Sequence, residues 1–281
     1  MSRTIHVDQI ADCVAGLCIE ACTVLPAQVR ALLAEARQRE PYAPARESLA
    51  LVCENCRIAE QSKIPICQDT GMAVVIAEVG QDAHIEGGLL EDAVNRGVHK
   101  GYMEGWLRKS VVRGPFDRVN TGDNTPAVLH VKLVAGDRIK LTVSPKGFGS
   151  ENMSRLKMLT PAEGLQGVKD FVLETVQIAG ANPCPPIMLG VGIGGNFEQV
   201  AMLAKEALVE LREGGHPDPA IAALEKELLQ KINQTGIGPQ GYGGMTTALS
   251  VHIKTAPTHI AGLPVAVNVG CHATRRAQAT L

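Results

Sequence analysis

The spacing of apolar residues changes period along this chain, and that change restricts the fold more than any other feature. Through the first sixty residues the spacing is helical. Ile10, Val14, Leu17 and Ala21 share one face; Val29, Leu32, Leu33 and Ala36 follow Pro26; and a run from Pro44 to Gln61 aligns Leu49, Val52, Cys53, Cys56 and Ala59. Met72 to Val79 is then rich in β-branched residues and reads as a buried strand. Leu90, Val94, Val98 and Tyr102 return to helical spacing, with Gly97 and Gly101 one turn apart among them. Each glycine weakens a helix by ~1 kcal/mol relative to alanine, so close packing or a nearby ligand is expected there. Ala127 to Val134 and Arg138 to Val143 read as a hairpin closed by Ala135-Gly136-Asp137, with Ile139, Leu141 and Val143 on one face.

The second half alternates similarly. Thr160-Pro161-Ala162-Glu163 is a capping box with proline at the first helical position, ahead of a stripe of Leu165, Val168, Val172, Val176 and Ala179. Ile187 to Val191 reads as a short strand. Asn196 caps a helix carrying Val200, Leu203, Ala207 and Leu211, with Gly214-Gly215 at its end. Asp218-Pro219 opens another, bearing Ile221, Leu224 and Leu228. Leu249 to Ile253 and Val265 to Val269 read as the last strands, after a glycine-rich run from Ile237 to Gly244. Strands and helices interleave without a βαβ rhythm. The expected class is therefore α+β, with mixed β-sheets flanked by helices and a helical N-terminal segment. The length permits one large domain or two small ones, and a single domain over residues 1–281 is expected.

Composition narrows the function. Apolar residues make up 45% of the chain, enough for a sizeable core, and aromatics only 3%, too few for base-stacking platforms. The net charge of −2, without a long basic run, argues against duplex binding, so no nucleic-acid partner is expected. An anionic substrate would need a local cluster of Arg or Lys. Ile10 to Leu25 is apolar, but Asp12 and Glu20 interrupt it and it is shorter than the roughly 20 residues of a spanning helix. No signal peptide is evident. A cytoplasmic chain without a membrane partner is expected, its eight cysteines serving as thiols or metal ligands rather than in disulfides.

Three of those cysteines stand apart. Cys67 lies in Pro65-Ile66-Cys67-Gln68-Asp69-Thr70-Gly71, Cys184 in Asn182-Pro183-Cys184-Pro185-Pro186, and Cys271 in Asn268-Val269-Gly270-Cys271-His272-Ala273. Each has Pro or Gly within two residues and so reads as a turn, where rigid scaffolds present reactive groups. They are 117 and 87 residues apart, which excludes a local zinc knuckle. Brought together by folding, three thiolates would hold a metal or an iron–sulfur cluster with one position open, as Lewis-acid chemistry requires; a closed electron-transfer cluster normally takes four. The plainer alternative is buried structural thiols. The remaining five read as core: Cys13, Cys18 and Cys22 on an amphipathic helix, Cys53 and Cys56 on a helical apolar face.

Those three contexts occur in order with Leu107-Arg108-Lys109-Ser110, Asn120-Thr121-Gly122-Asp123-Asn124-Thr125 and Lys146-Gly147-Phe148-Gly149-Ser150-Glu151-Asn152. From about Asn55 to Arg276 the chain resembles the class I (iron–sulfur) fumarate hydratases and the related L-tartrate dehydratases, in particular the α subunit of their two-subunit form. One departure is Phe148, where the family usually has a third glycine.

The resemblance implies a [4Fe-4S] cluster on Cys67, Cys184 and Cys271. It implies a dicarboxylate substrate bound by Gln68, Arg108 and Gly149, and catalytic roles for Asp69 and His259. Its β subunit, in a heterodimer or an α₂β₂ assembly, would supply the base for the C3 proton. The implied reaction is reversible dehydration of (S)-malate to fumarate, with L-tartrate or mesaconate-type hydration as alternatives. Each residue also has a plainer reading: Asp-Thr-Gly is a good turn in its own right, a basic pair is usually a solvated face, and a lone histidine is usually a satisfied polar group. His272 adjoins a ligand, and Arg275 and Arg276 read as contacts to the partner chain. From a different class, a non-catalytic iron–sulfur subunit would need a fourth ligand, and a structural subunit would bind no metal.

Overall fold

The computed structural model of the protein describes residues 3–210, 212 and 215–281. In chain order the elements begin with β1 (Arg3–His6), α1 (Val7–Thr23), α2 (Ala27–Arg39), α3 (Ala43–Ser62), β2 (Met72–Gly80), β3 (Ala83–Glu86), α4 (Leu90–Glu104), β4 (Val128–Val134) and β5 (Ile139–Lys146). They continue with α5 (Phe148–Glu151), β6 (Arg155–Leu159), α6 (Gly164–Ala179), β7 (Ile187–Gly195), α7 (Phe197–Glu210), α8 (Pro219–Asn233), β8 (Ala248–Thr258), β9 (Leu263–Gly270) and β10 (Ala277–Thr280). The sheets are mixed and flanked by helices, so the fold is α+β. The chain divides into two compact units, the first of Met1–Pro26, Asn55–Phe148 and Arg275–Leu281, the second of Ala27–Glu54 and Gly149–Thr274.

The first unit is built on the sheet β10-β5-β2-β4, with the small pair β1-β3 beside it. β2 is apolar except for Glu78, and Ala73 to Ala77 are all buried. The backbone N–H and C=O groups of a buried strand need partners along both edges, and β2 takes β5 antiparallel and β4 parallel. The expected hairpin between β4 and β5 therefore does not form: β2 lies between them. The Gly136 turn instead closes on the residues after β2, where Asp82 N–H donates to the Gly136 carbonyl at 2.9 Å.

α1 and α4 pack together over this sheet through Ile10, Val14, Leu17, Val94, Val98 and Tyr102. The two helix glycines allow the close approach. A Cβ on Gly97 would stand 2.6 Å from the Ala11 carbonyl oxygen, and one on Gly101 2.7 Å from that of Ala15. Close helix packing, not a ligand, occupies the space.

The second unit holds the sheet β6-β9-β7-β8, in which β7 runs parallel to β8 and antiparallel to β9. Side chains alternate along β7. Leu189 and Val191 join the core under α6 and α8, while Gly190 and Gly192 face α7. A Cβ on Gly190 would stand 2.1 Å from the Ala204 carbonyl oxygen, so the glycines set how near α7 lies.

The capping box at Thr160 forms, with a 3₁₀ turn at Pro161–Glu163 ahead of α6. Leu165 is exposed, so the buried stripe starts at Val168. Asn196 Oδ1 accepts from Gln199 N–H at 3.1 Å, as a cap does. Leu211 and Gly214, expected at the end of that helix, lie outside the described residues.

Candidate active site in two halves

The first unit carries one half. The turn Cys67-Gln68-Asp69-Thr70-Gly71 enters β2 and is fastened from its buried side. The Tyr102 hydroxyl, on a fully buried side chain of α4, lies 2.9 Å from the Thr70 carbonyl oxygen and 3.0 Å from that of Gly71. Asn124, also fully buried, donates from Nδ2 to the Gly71 carbonyl at 3.1 Å, and its Oδ1 accepts from Ser110 N–H at 2.7 Å. The polar loop Asn120–Thr125 is thus an anchor for two other loops. Thr70 Oγ1 donates to the Arg108 carbonyl at 3.0 Å, which sets exposed Arg108 beside the cysteine turn.

Arg275 is a correction. It read as a partner contact, yet it is 4% exposed and its Nη2 donates to the Asp69 carbonyl, with Nε 3.4 Å from that of Pro145. Two of its three nitrogens are thus bonded inside its own unit. Asp69 itself bridges two segments: Oδ1 accepts from Gly71 N–H and Oδ2 from Phe148 N–H, each at 2.9 Å. Gln68 is exposed, its Oε1 3.5 Å from Cys67 Sγ, and the Cys67 thiol is partly exposed. Beneath the turn, burial pushes the Cys22 thiol up to about 11, against the lowering effect of Arg275 and with Cys67 and Asp69 adding to the rise. Cys22 therefore stays a protonated core thiol at neutral pH, unsuited to ligation.

The second unit carries the other half. Cys184 precedes β7 and Cys271 follows β9, and the pairing of Met188 with Gly270 puts both turns at one end of the sheet. The Cys184 carbonyl accepts from His272 N–H at 3.4 Å and lies 3.0 Å from His272 Nδ1. Thr274 closes the third turn, donating from N–H and Oγ1 to the Cys271 carbonyl at 3.0 and 2.7 Å. Cys184 is exposed and Cys271 partly so. Gly149 stands at the same end, where a Cβ would have only the Asn182 carbonyl within 4 Å, at 3.7 Å. Its neighbour Glu151 is tied to the Cys271 strand: Oε2 accepts from Asn268 Nδ2 at 2.8 Å, while Oε1 meets Lys205 Nζ at 2.6 Å.

His259 is placed differently. It lies exposed beyond β8, where Thr258 pairs with Gly195 at the far end of β7. The nine residues of β7 span eight steps of about 3.3 Å, so His259 stands about 26 Å along the sheet from the cysteine turns of its unit. Within neither unit do three His, Cys, Asp or Glu side chains of the described residues gather as a metal-binding group. The three expected ligands are divided one and two between the units.

The donor set nevertheless fits an iron–sulfur cluster. Cys67, Cys184 and Cys271 are exposed or partly exposed residues on turns braced by named hydrogen bonds, and thiolate is the soft ligand such clusters take. By contrast, Cys18, Cys22 and Cys56 are buried on helices. Three residues of the site escaped sequence reasoning: Tyr102, read only as a helix face; Arg275, read as surface; and Gln240, within the glycine run.

The family of the chain follows from comparison with known proteins. A family model described as Fumarate hydratase (Fumerase) matches residues 11–280. The chain belongs to that family. A Methanocaldococcus jannaschii protein named "Putative L(+)-tartrate dehydratase subunit alpha" is 43% identical over 275 residues, 96% of either chain. The "L(+)-tartrate dehydratase subunit alpha" of Escherichia coli UTI89 is 33% identical over 274 residues, covering 96% of this chain and 90% of its own. The same-named protein of strain K12 is 32% identical over an equal span.

Proposed function

We propose that this chain is the cluster-bearing α subunit of a hydro-lyase for a four-carbon 2-hydroxy dicarboxylate, acting with a β subunit. The observation that carries the proposal is the bracing of the three cysteine turns, each beside a residue suited to the substrate: Gln68 and Arg108 with Cys67, Gly149 with Cys184 and Cys271. Cys67, Cys184 and Cys271 would hold a [4Fe-4S] cluster, whose open iron supplies Lewis acidity to a hydroxyl that is otherwise a poor leaving group. Arg108 offers a planar fork to a substrate carboxylate. Gly149 offers a backbone N–H where no side chain obstructs approach.

Asp69 exchanges a proton with the substrate hydroxyl. Two of its carboxylate lone pairs are taken by Gly71 and Phe148, which fix its orientation and leave capacity for a further donor. His259 is assigned no step here, because it lies beyond β8, at the other end of β7 from the Cys184 and Cys271 turns. The base for the C3 proton is assigned to the β subunit, in line with the names of the relatives.

The first reading of the reaction is (S)-malate to fumarate. The second is dehydration of L-(+)-tartrate, favoured by those same names. The two substrates differ by one hydroxyl, and Phe148 beside Asp69 is where that hydroxyl would be sensed. The test is anaerobic purification with the β subunit and comparison of kcat/KM on malate, fumarate and tartrate. A malate preference supports the first reading and a tartrate preference replaces it with the second. No turnover of any of them, nor of mesaconate, with a loaded cluster, sinks the hydro-lyase assignment.

A further inference from the structure

The glycine-rich run contributes no thiol, yet it delivers a side chain to the two cysteine turns of its unit. Pro239-Gln240-Gly241 forms one 3₁₀ turn with Gln240 at φ 54° and ψ 15°. This is the left-handed region, where a Cβ crowds the following carbonyl and glycine is the ordinary occupant. A glycine there would keep the backbone N–H that donates to the Pro185 carbonyl at 2.7 Å. What glutamine adds is its amide. Nε2 donates to that same carbonyl at 2.7 Å and lies 3.2 Å from His272 Nδ1.

The carbonyl one residue earlier, that of Cys184, faces His272 through both its N–H and Nδ1. Cys184 is itself left-handed, at φ 54°. Consecutive carbonyls of one strained turn therefore receive donors from two other loops, and Gln240 and His272 meet at the third side of the triangle. Nδ1 satisfies one partner at a time, donating to Cys184 when it bears the proton and accepting from Gln240 when it does not. The far end of the glycine run is anchored: buried Glu40 accepts from Met245 N–H and Thr246 N–H at 3.0 Å each and from Thr246 Oγ1 at 2.9 Å. The amide is presented by a fixed loop.

We propose that Gln240 is a positioning residue whose side-chain amide holds the Cys184 turn and the His272 ring in register, so that the two thiols of this half are presented together. The inference rests on the reading of Cys184 and Cys271 as cluster ligands. Neighbours that orient a metal's ligands are typically worth about 10–100-fold in affinity.

The experiment compares the wild-type full chain with Gln240→Gly and Gln240→Glu after anaerobic reconstitution, measuring the rate of iron release to a chelator and the Tm of each protein before loading. Gly keeps the backbone bond and relieves the left-handed strain; Glu keeps the backbone bond and the length but has no side-chain N–H for Pro185 or His272. Both variants are expected to release iron at least about 10-fold faster, with the Tm of Gln240→Gly no lower than wild type. Wild-type release from both variants overturns the proposal. A lowered Tm in Gln240→Gly also overturns it, because the residue would then serve the fold. A wild-type chain that takes up no iron removes the cluster reading itself, and this inference with it.

Discussion

The two half-sites are braced in opposite ways. The Cys67 turn is held from within, by Tyr102, Asn124 and Arg275, all 4% exposed or less. The Cys184 and Cys271 turns are held from loop to loop at a sheet end, by carbonyls of Cys184 and Pro185 and by the side chains of His272 and Gln240. Buried polar groups that lose a partner bear the full desolvation cost, whereas exposed groups turn to water. The first half should thus be coupled to the stability of its unit, and the second should yield in geometry while its unit stays folded.

The largest expected effect breaks the function on either side. Cys184→Ser, like Cys67→Ser or Cys271→Ser, should reduce iron retention by more than the about 100-fold that loss of a ligand's neighbour costs. Activity should fall to background while far-ultraviolet circular dichroism is unchanged; full iron content in Cys184→Ser would remove that residue from the ligand set.

The next effect concerns the first unit alone. Burial raises the Cys22 thiol from 9.0 to about 11, so the folded state keeps a proton that the unfolded chain gives up. Stability from this group is complete below pH 9 and is lost as pH rises from 9 to 11, by an amount of the order of 3 kcal/mol. Buried Tyr102, raised by burial and then by Cys22 and Cys18, adds in the same direction. Urea unfolding of cluster-free protein between pH 8 and 11 should show this slope, flattened in Cys22→Ala. An unchanged slope would mean that Cys22 ionises without unfolding its surroundings.

The smallest effect sharpens the contrast. Tyr102→Phe deletes the hydroxyl that meets the Thr70 and Gly71 carbonyls, at a cost of about 1–3 kcal/mol. Denaturant unfolding measures it. A Tyr102→Phe chain as stable as wild type would show that Asn124 and Arg275 suffice to hold the turn.

What was readable in the sequence follows from locality. Helices α1 to α4 announced themselves because a 3.6-residue period is a property of neighbours in the chain. The capping box at Thr160 and the cap at Asn196 are equally local. The three cysteine turns were legible from their prolines and glycines, and the ordered motifs carried the family. The strand order was not legible: β4 and β5 are adjacent in sequence, yet β2, from some fifty residues earlier, separates them because it must be covered on both edges.

The long helices, the central strands, the turns that bear the thiols and the family were legible in the sequence, whereas the short strands β1, β3, β6 and β10 were not. Tertiary structure alone decided that Arg275 lies buried against Asp69 rather than on the surface, that His259 stands at the other end of its sheet from Cys184, and that Gln240 meets Pro185 and His272. The physical reason is the range of the interactions. Periodicity and capping act over one or two turns of chain, whereas the contacts of Arg275 with Asp69 and of Gln240 with Pro185 join residues 206 and 55 positions apart, and no local pattern records them.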